Sequence, residues 1–287
     1  MALTVIESAA EMQHRSLAWR AAGKRLGFVP TMGYLHEGHT SLMQLLRPRC
    51  EILVSSIFVN PLQFGPNEDF ERYPRDMERD RQLCEAAGCD VVFCPPASDV
   101  YPGDFHTQVE VGYLGETLCG PWRPGHFRGV TTVVAKLFNV VLPHAAAFGQ
   151  KDAQQAIIIK QMVRDLNFPI EIVVGPTVRE ADGLAMSSRN IYLSPNQRHE
   201  ATALFRALSL GKEMIERGER RPDVVTAAIR GLIEQHVHDP EIQYVEIVST
   251  RDLHPLQHLE GEILMALAVR IGKTRLIDNF MLRIGKE

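Results

Sequence analysis

Leu26-Gly-Phe-Val-Pro-Thr-Met-Gly-Tyr-Leu-His-Glu-Gly-His-Thr40 changes character twice within a few residues. The apolar opening, Leu26 to Val29, reads as a buried strand. A glycine-bearing loop follows, and then two histidines three apart at the start of a helical pattern. That spacing puts both imidazoles on one face of the first turn. A helix start also offers unpaired backbone N–H groups and the positive end of the helix dipole, and Gly38 leaves room for an anion between the rings. Strand, glycine loop and helix start together point to a nucleotide site. Spacing speaks against a zinc protease: its HExxH histidines lie four apart, whereas His36 and His39 lie three apart. Glu37 reads as a solvated helix-start carboxylate.

The pattern recurs outward from this unit. Ile52 to Val59, Asp90 to Cys94, Ala145 to Phe148 and Ile170 to Val174 are short apolar runs bounded by Pro, Gly or Asn. Between them Thr40 to Arg49, Asp76 to Ala87, Val130 to Leu142 and Ala153 to Leu166 carry apolar residues at helical spacing. Strands alternating with helices predict an α/β fold with a mostly parallel sheet and ligands at the carboxyl ends of its strands. After Val178 the texture changes. Helices over Pro195 to Glu216 and Asp223 to Val237 precede strand-like runs over Ile242 to Val248, Ile263 to Ile271 and Arg275 to Asp278. This order predicts a second, smaller α+β domain, so the domains are 1–178 and 179–287.

Composition narrows the function. The 287 residues carry 31 Lys+Arg against 35 Asp+Glu, a formal charge of −4 that gives no general attraction for polyanions. No apolar run approaches a membrane span, and Met1 to Glu7 lacks the order of a secretory leader, so a cytoplasmic protein is expected. The five cysteines form no CxxC pair and read as reduced thiols packed as small hydrophobes.

Further clusters carry chemistry. Phe148-Gly-Gln-Lys151-Asp152-Ala-Gln-Gln155 sits at a strand end, where Lys151 can reach a phosphate, Asp152 can cap the helix or hold a hydroxyl, and Gln155 faces the same crevice. Met186-Ser187-Ser188-Arg189 offers two hydroxyls and a guanidinium to a leaving pyrophosphate, with Arg179 to Gly183 before it as a hinge. Asn60 and Gln63 leave a strand end as a pair of amides suited to a hydroxy acid. Arg123, His126 and Arg128 form a basic loop before a helix, either functional or merely solvated.

VPTMGYLHEGH at 29–39, FVNPLQFG at 58–65, RYPRD at 72–76, RPGHFRGV at 123–130, FGQKDAQQ at 148–155 and PTVREADGLAMSSRN at 176–190 occur in one order along nearly the whole chain. In this the sequence resembles the pantoate–β-alanine ligases of the HIGH/KMSKS nucleotidyltransferase superfamily. The resemblance implies a Rossmann-like first domain that binds ATP, Mg2+ and pantoate, a lid formed by the second domain, and a homodimer. It implies that Met32, Gly33, Tyr34, Leu35, His36, Glu37, Gly38 and His39 line the ATP site, with His39 as proton donor and His36 beside it on the phosphates. Gly149, Gln150, Lys151, Asp152, Val178, Met186, Ser187, Ser188 and Arg189 would complete that site. Gln63 and Gln155 would hold pantoate, with Asn60 nearby, Arg123 near the pantoate and β-alanine pocket, and Asp80 helping to place the metal. The family carries Glu where this chain has Gln150. The implied reaction is a two-step ligation through a pantoyl adenylate. A nucleotidylyltransferase of the same superfamily and a non-catalytic nucleotide-binding module are the alternatives; the Asn60 and Gln63 amides favour a hydroxy acid over a phosphate-bearing partner, and the length of the match favours the ligase over both.

Overall fold

The computed structural model describes residues 3–66 and 68–285. They form two compact units. One comprises the described residues within 1–116, 123–150 and 154–176, and the other those within 117–122, 151–153 and 177–287.

The first unit runs β1 (Thr4–Ile6), α1 (Ala9–Ala21), β2 (Leu26–Thr31), α2 (Glu37–Leu46), β3 (Ile52–Ile57), α3 (Met77–Ala86), β4 (Val91–Phe93), α4 (Ala97–Val100), α5 (Gly112–Glu116), α6 (His126–Val141), β5 (Ala145–Gly149), α7 (Ala153–Asp165) and β6 (Glu171–Gly175). Its strands form a parallel sheet in the order β1-β4-β3-β2-β5-β6. The α/β, Rossmann-like class read from the sequence is therefore the observed one. The chain proceeds from β2 to β3 and β4 on one side, then returns to place β5 and β6 on the other. That reversal opens a crevice beyond the carboxyl ends of β2 and β5, the switch point where such sheets bind ligands.

Strand periodicity explains the burial. Leu26, Phe28, Val54, Val91, Phe93, Ala146 and Phe148 point into one core with Met12 of α1, Phe138 of α6 and Ile159 of α7. Their neighbours Val29, Leu53, Val92, Ala145 and Ala147 point into the other, against Leu42, Met43 and Leu46 of α2. Both faces are covered, so the strands read as continuous apolar runs. Phe138 meets Phe28, Phe148 and Phe168 edge-on, with ring centroids 5.8–6.4 Å apart. The five cysteines are free thiols, with Cys84, Cys89 and Cys119 buried.

The second unit holds α8 (Pro195–Glu200), α9 (Thr202–Glu216), α10 (Pro222–His236), β7 (Glu241–Ser249), β8 (Gly261–Ile271) and β9 (Thr274–Ile284). The three strands form an antiparallel sheet with β8 central. Val225, Ile229 and Ile233 of α10 and Leu204 and Leu208 of α9 share its core with Ile263, Met265 and Leu267. Two expectations change here. The helix expected over Pro195 to Glu216 is divided at Ala201, and the last strand runs to Ile284 because its full length pairs with β8.

Gly129 of α6 lies against the carbonyl of Leu62, so closely that a Cβ there would overlap backbone. Gly129→Ala therefore forces α6 from the Pro61–Gln63 turn. The expected loss is about 1–3 kcal/mol, a drop in Tm of several degrees by calorimetry.

Candidate active site

The loop between β2 and α2 is built from backbone constraints. Thr31 at the strand end donates its hydroxyl to the Ser56 carbonyl (2.7 Å) and accepts from Gly33 N (3.2 Å). Gly33 and Tyr34 are successive left-handed residues, with φ of 80° and 48°. This turns the next two amides toward α3, where Asp80 Oδ2 accepts from Tyr34 N and Oδ1 from Leu35 N, each at 2.7 Å. Asp80 is buried. Burial pushes its carboxyl up from the ordinary range, against the opposing pull of the two N–H groups. A side chain on Gly33 would press on Oδ2, so the glycine is needed for space as well as conformation. The resemblance gives Asp80 a part in placing a metal, and the geometry shows a second task. Both oxygens are engaged by the loop, which they pin.

The two histidines are reciprocal caps of α2. His36 is the N-cap, and its Nδ1 accepts from Gly38 N at 3.1 Å, while His36 N donates to His39 Nδ1 at 3.2 Å. The rings lie 4.1 Å apart. A backbone N–H can only donate, so each Nδ1 is the lone-pair nitrogen and each neutral ring carries its proton on Nε2. This corrects the expectation of open backbone amides. Gly38 N and His36 N are spent on imidazoles, and His39 N and Thr40 N on the His36 carbonyl. The positive end of the helix dipole lies at this turn. Met32 and Tyr34 are half-buried, Gly33 and Leu35 buried, and Glu37 exposed at the helix start.

Asn60 and Gln63 also come together in the first unit. Asn60 Nδ2 donates to Gln63 Oε1 and to the Gly129 carbonyl, each at 3.0 Å. Asn60 Oδ1 accepts from Leu62 N (3.3 Å) and from Tyr101 Oη (2.8 Å), and Gln63 Nε2 lies 3.1 Å from Met32 Sδ. Arg123 forms a two-pronged pair with Glu68, its Nε donating at 2.6 Å, and its Nη2 reaches the Gln63 carbonyl (3.1 Å). His126 Nδ1 meets the same carbonyl at 2.8 Å. The Arg123 charge is thus balanced within the protein, and this basic loop orders Gln63. Gln155 lies half-buried in the first turn of α7, and Gly149 and Gln150 follow at the end of β5.

Lys151, Asp152, Val178 and the stretch Met186 to Arg189 belong to the second unit. Asn279 Nδ2 of β9 donates to the Lys151 carbonyl at 3.0 Å. Next to it, buried Asp278 holds Arg179 through bonds of 2.6 and 2.9 Å, and Arg179 also donates to the Gly183 carbonyl (3.0 Å). The Arg179 guanidinium lies over Phe205 and Phe280, 4.6 and 5.3 Å from their centroids. Arg198 pairs with Glu180 and Asp182 (2.6 and 2.8 Å), a contact that holds the Asp182 carboxyl below its usual range. Asn190 ties Glu180 to the Ala185 carbonyl. The stretch read as a hinge is therefore strapped into the framework of its own unit. It leads to Ser187, whose hydroxyl accepts from Arg189 N (3.3 Å), and to buried Ser188. Glu68, Tyr101, Asp278 and Asn279 carry no motif of their own, and their partnerships become visible only in the folded chain.

The model of the Pantoate-beta-alanine ligase family matches residues 4–281. The chain belongs to that family. Among curated members of this ligase family, pantothenate synthetase of Moorella thermoacetica is 55% identical over 99% of this chain and 100% of its own length. That of Geobacillus kaustophilus is 54% identical over 99% and 94%. The Thermus thermophilus pantothenate synthetase structure superposes with a TM-score of 0.90 at 45% identity, covering 96% of this chain and 98% of its own. The Francisella tularensis pantoate-beta-alanine ligase, solved with beta-gamma ATP and beta-alanine, gives 0.78 at 33% identity over 98% of each chain.

The Asp80 pin has a signed pH consequence. With its folded-state carboxyl raised, the folded chain keeps a proton that the unfolded chain has lost, so this group's contribution to stability falls as pH rises through the window just above the usual carboxylate range. Asp80→Asn removes that slope. Urea midpoints at about pH 4 and about pH 7 should therefore show the native chain losing stability relative to Asp80→Asn across the interval. Asp80→Ala leaves two buried amides without acceptors and should cost about 2–5 kcal/mol in the same assay.

Proposed function

We propose that this chain condenses pantoate with β-alanine at the expense of ATP, giving pantothenate, AMP and pyrophosphate through a pantoyl adenylate. The observation that carries the reading is membership of the pantoate–β-alanine ligase family over almost the whole chain. In the first step the pantoate carboxylate attacks the α-phosphorus of ATP and pyrophosphate leaves with the electron pair of the broken P–O bond. In the second, the β-alanine amine attacks the acyl carbon, loses a proton and expels AMP. Neither step needs a protein nucleophile. Both need the reactants held in line and the phosphate charge met by placed donors.

In this reading the Nε2–H groups of His36 and His39 meet phosphate oxygens, and the His39 proton offsets charge on the departing pyrophosphate. Met32 to Leu35, Glu37, Gly38, Gly149 and Gln150 line the nucleotide. Lys151, Asp152, Val178, Met186, Ser187, Ser188 and Arg189 also take part in nucleotide binding, and the two domains keep the roles the resemblance implies, 1–178 for ATP and pantoate and 179–287 as a lid. Gln63 and Gln155 bind pantoate, with Asn60 and Arg123 ordering Gln63. The exchange of Glu for Gln150 leaves Lys151 and Asp152 in place, so activity survives it.

Magnesium, a homodimer and a cytoplasmic location belong to the same proposal. Among the described residues no three His, Cys, Asp or Glu side chains gather as a metal cage. The proposed cation would be carried by the triphosphate and its waters. When bound, Mg2+ neutralises phosphate charge. No helix among the described residues is long and apolar enough to cross a membrane.

With ATP, Mg2+ and pantoate alone, the protein should release pyrophosphate and accumulate an acyl adenylate that β-alanine then consumes. ADP and phosphate as products would overturn the scheme, and a stable dinucleotide would favour a nucleotidylyltransferase. His39→Ala and Lys151→Ala should each slow pyrophosphate release about a hundredfold or more; Tm stays close to native in Lys151→Ala and falls by a few degrees in His39→Ala, which also loses the cap on His36 N.

A further inference from the structure

The polarity of the buried amides around Gln63 follows from groups whose roles are fixed. Leu62 N–H can only donate, so the Asn60 atom facing it is the carbonyl oxygen. The Gly129 carbonyl can only accept, so the opposite Asn60 atom is the amide nitrogen. With Asn60 set, Tyr101 Oη at 2.8 Å from Oδ1 must donate. Asn60 Nδ2 then donates to Gln63, whose facing atom is Oε1. Gln63 Nε2 is left against the thioether of Met32, a weak acceptor for a buried donor.

Tyr101 is placed to enforce this order. Its ring packs between Phe58 and Phe105, with centroids 6.2 and 5.1 Å away. Burial pushes its phenol well above the ordinary range, which keeps the hydroxyl a donor. It arrives from the end of α4, 41 residues along the chain from Asn60.

We infer that Tyr101 is a positioning residue for the hydroxy-acid substrate: through Asn60 it holds Gln63 with Nε2–H outward, so this part of the site accepts a ligand oxygen that takes a hydrogen bond and disfavours a donor. The inference rests on the ligase reading above and adds to it how the amide pair is oriented. A substrate oxygen at Nε2 replaces a sulfur contact with a full hydrogen bond. Loss of the Tyr101 hydroxyl leaves Asn60 Oδ1 with only the longer 3.3 Å bond from Leu62 N, so the Asn60 and Gln63 amides are held less tightly and the preorganised donor is weakened.

The test is steady-state kinetics of pyrophosphate release by the full-length protein with pantoate and ATP varied in turn. Tyr101→Phe should raise KM for pantoate about tenfold, while KM for ATP and kcat at saturating pantoate stay within about twofold of native. Introduced into Gln63→Ala, the same change should add almost nothing, because the relay then has no end. An unchanged pantoate KM in Tyr101→Phe, a parallel rise in KM for ATP, or full additivity with Gln63→Ala would each overturn the inference. A native protein that releases no pyrophosphate with pantoate would overturn the ligase reading instead, and that result is read before any variant is made.

Discussion

The Asp80 carboxylate, buried on α3 and gripping the amides of Tyr34 and Leu35, is the contact on which the first unit's ligand end depends. A left-handed Gly33 followed by a left-handed Tyr34 is a conformation that local sequence alone does not hold. The two charge-assisted bonds hold it, and they cost the desolvation of a carboxylate. Once the loop is pinned, His36 emerges in an extended conformation at the first turn of α2 and the two imidazoles close their reciprocal cap. The direction of the ring donors is thus inherited, through the helix start and the loop, from one acidic side chain on another helix.

Topology supplies the rest of that geometry. β2 is central, paired with β3 on one side and β5 on the other, and the order reverses beside it. The loop that Asp80 holds and the Gly149–Gln150 segment both leave the sheet at this reversal. The amide pair at Asn60 and Gln63 leaves from the next strand, β3, and is fixed from α6 and Tyr101. The loop held by Asp80 and the Asn60 amide are each fixed by residues from other elements, without disulfides.

Legibility in the sequence followed the range of the interactions. The central strands were readable because burial on both faces makes them apolar throughout, and α6 because eleven of its residues are buried. β1 and α1 were not. β1 spans three residues and is a strand by virtue of pairing with β4, and α1 buries only Met12 and Ser16. The same rule governs the site. The histidines, amides, Lys151 and the Ser187–Ser188–Arg189 loop could be read locally because each lies in a short segment with its own glycine, proline or helix signal. Asp80 meets Tyr34 across 46 residues, Tyr101 meets Asn60 across 41, and Arg179 meets Asp278 across 99. Those partnerships are made by the order of strands and helices, and no local pattern encodes them.

Electrostatics explains why the arginines near these segments serve first as braces. Arg123, Arg179 and Arg198 are each answered by carboxylates, Glu68, Asp278 and the Glu180–Asp182 pair, so their first task is to brace loops. A chain with a formal charge of −4 has no diffuse positive field to lend. Making the two histidines cationic would not remedy this. A second proton on either ring would occupy the Nδ1 that accepts a backbone amide, and the added charge would dismantle the helix start that aims it. Neutral imidazoles avoid the conflict. They cap from Nδ1 and leave the positive end of the helix dipole in place without any change in protonation.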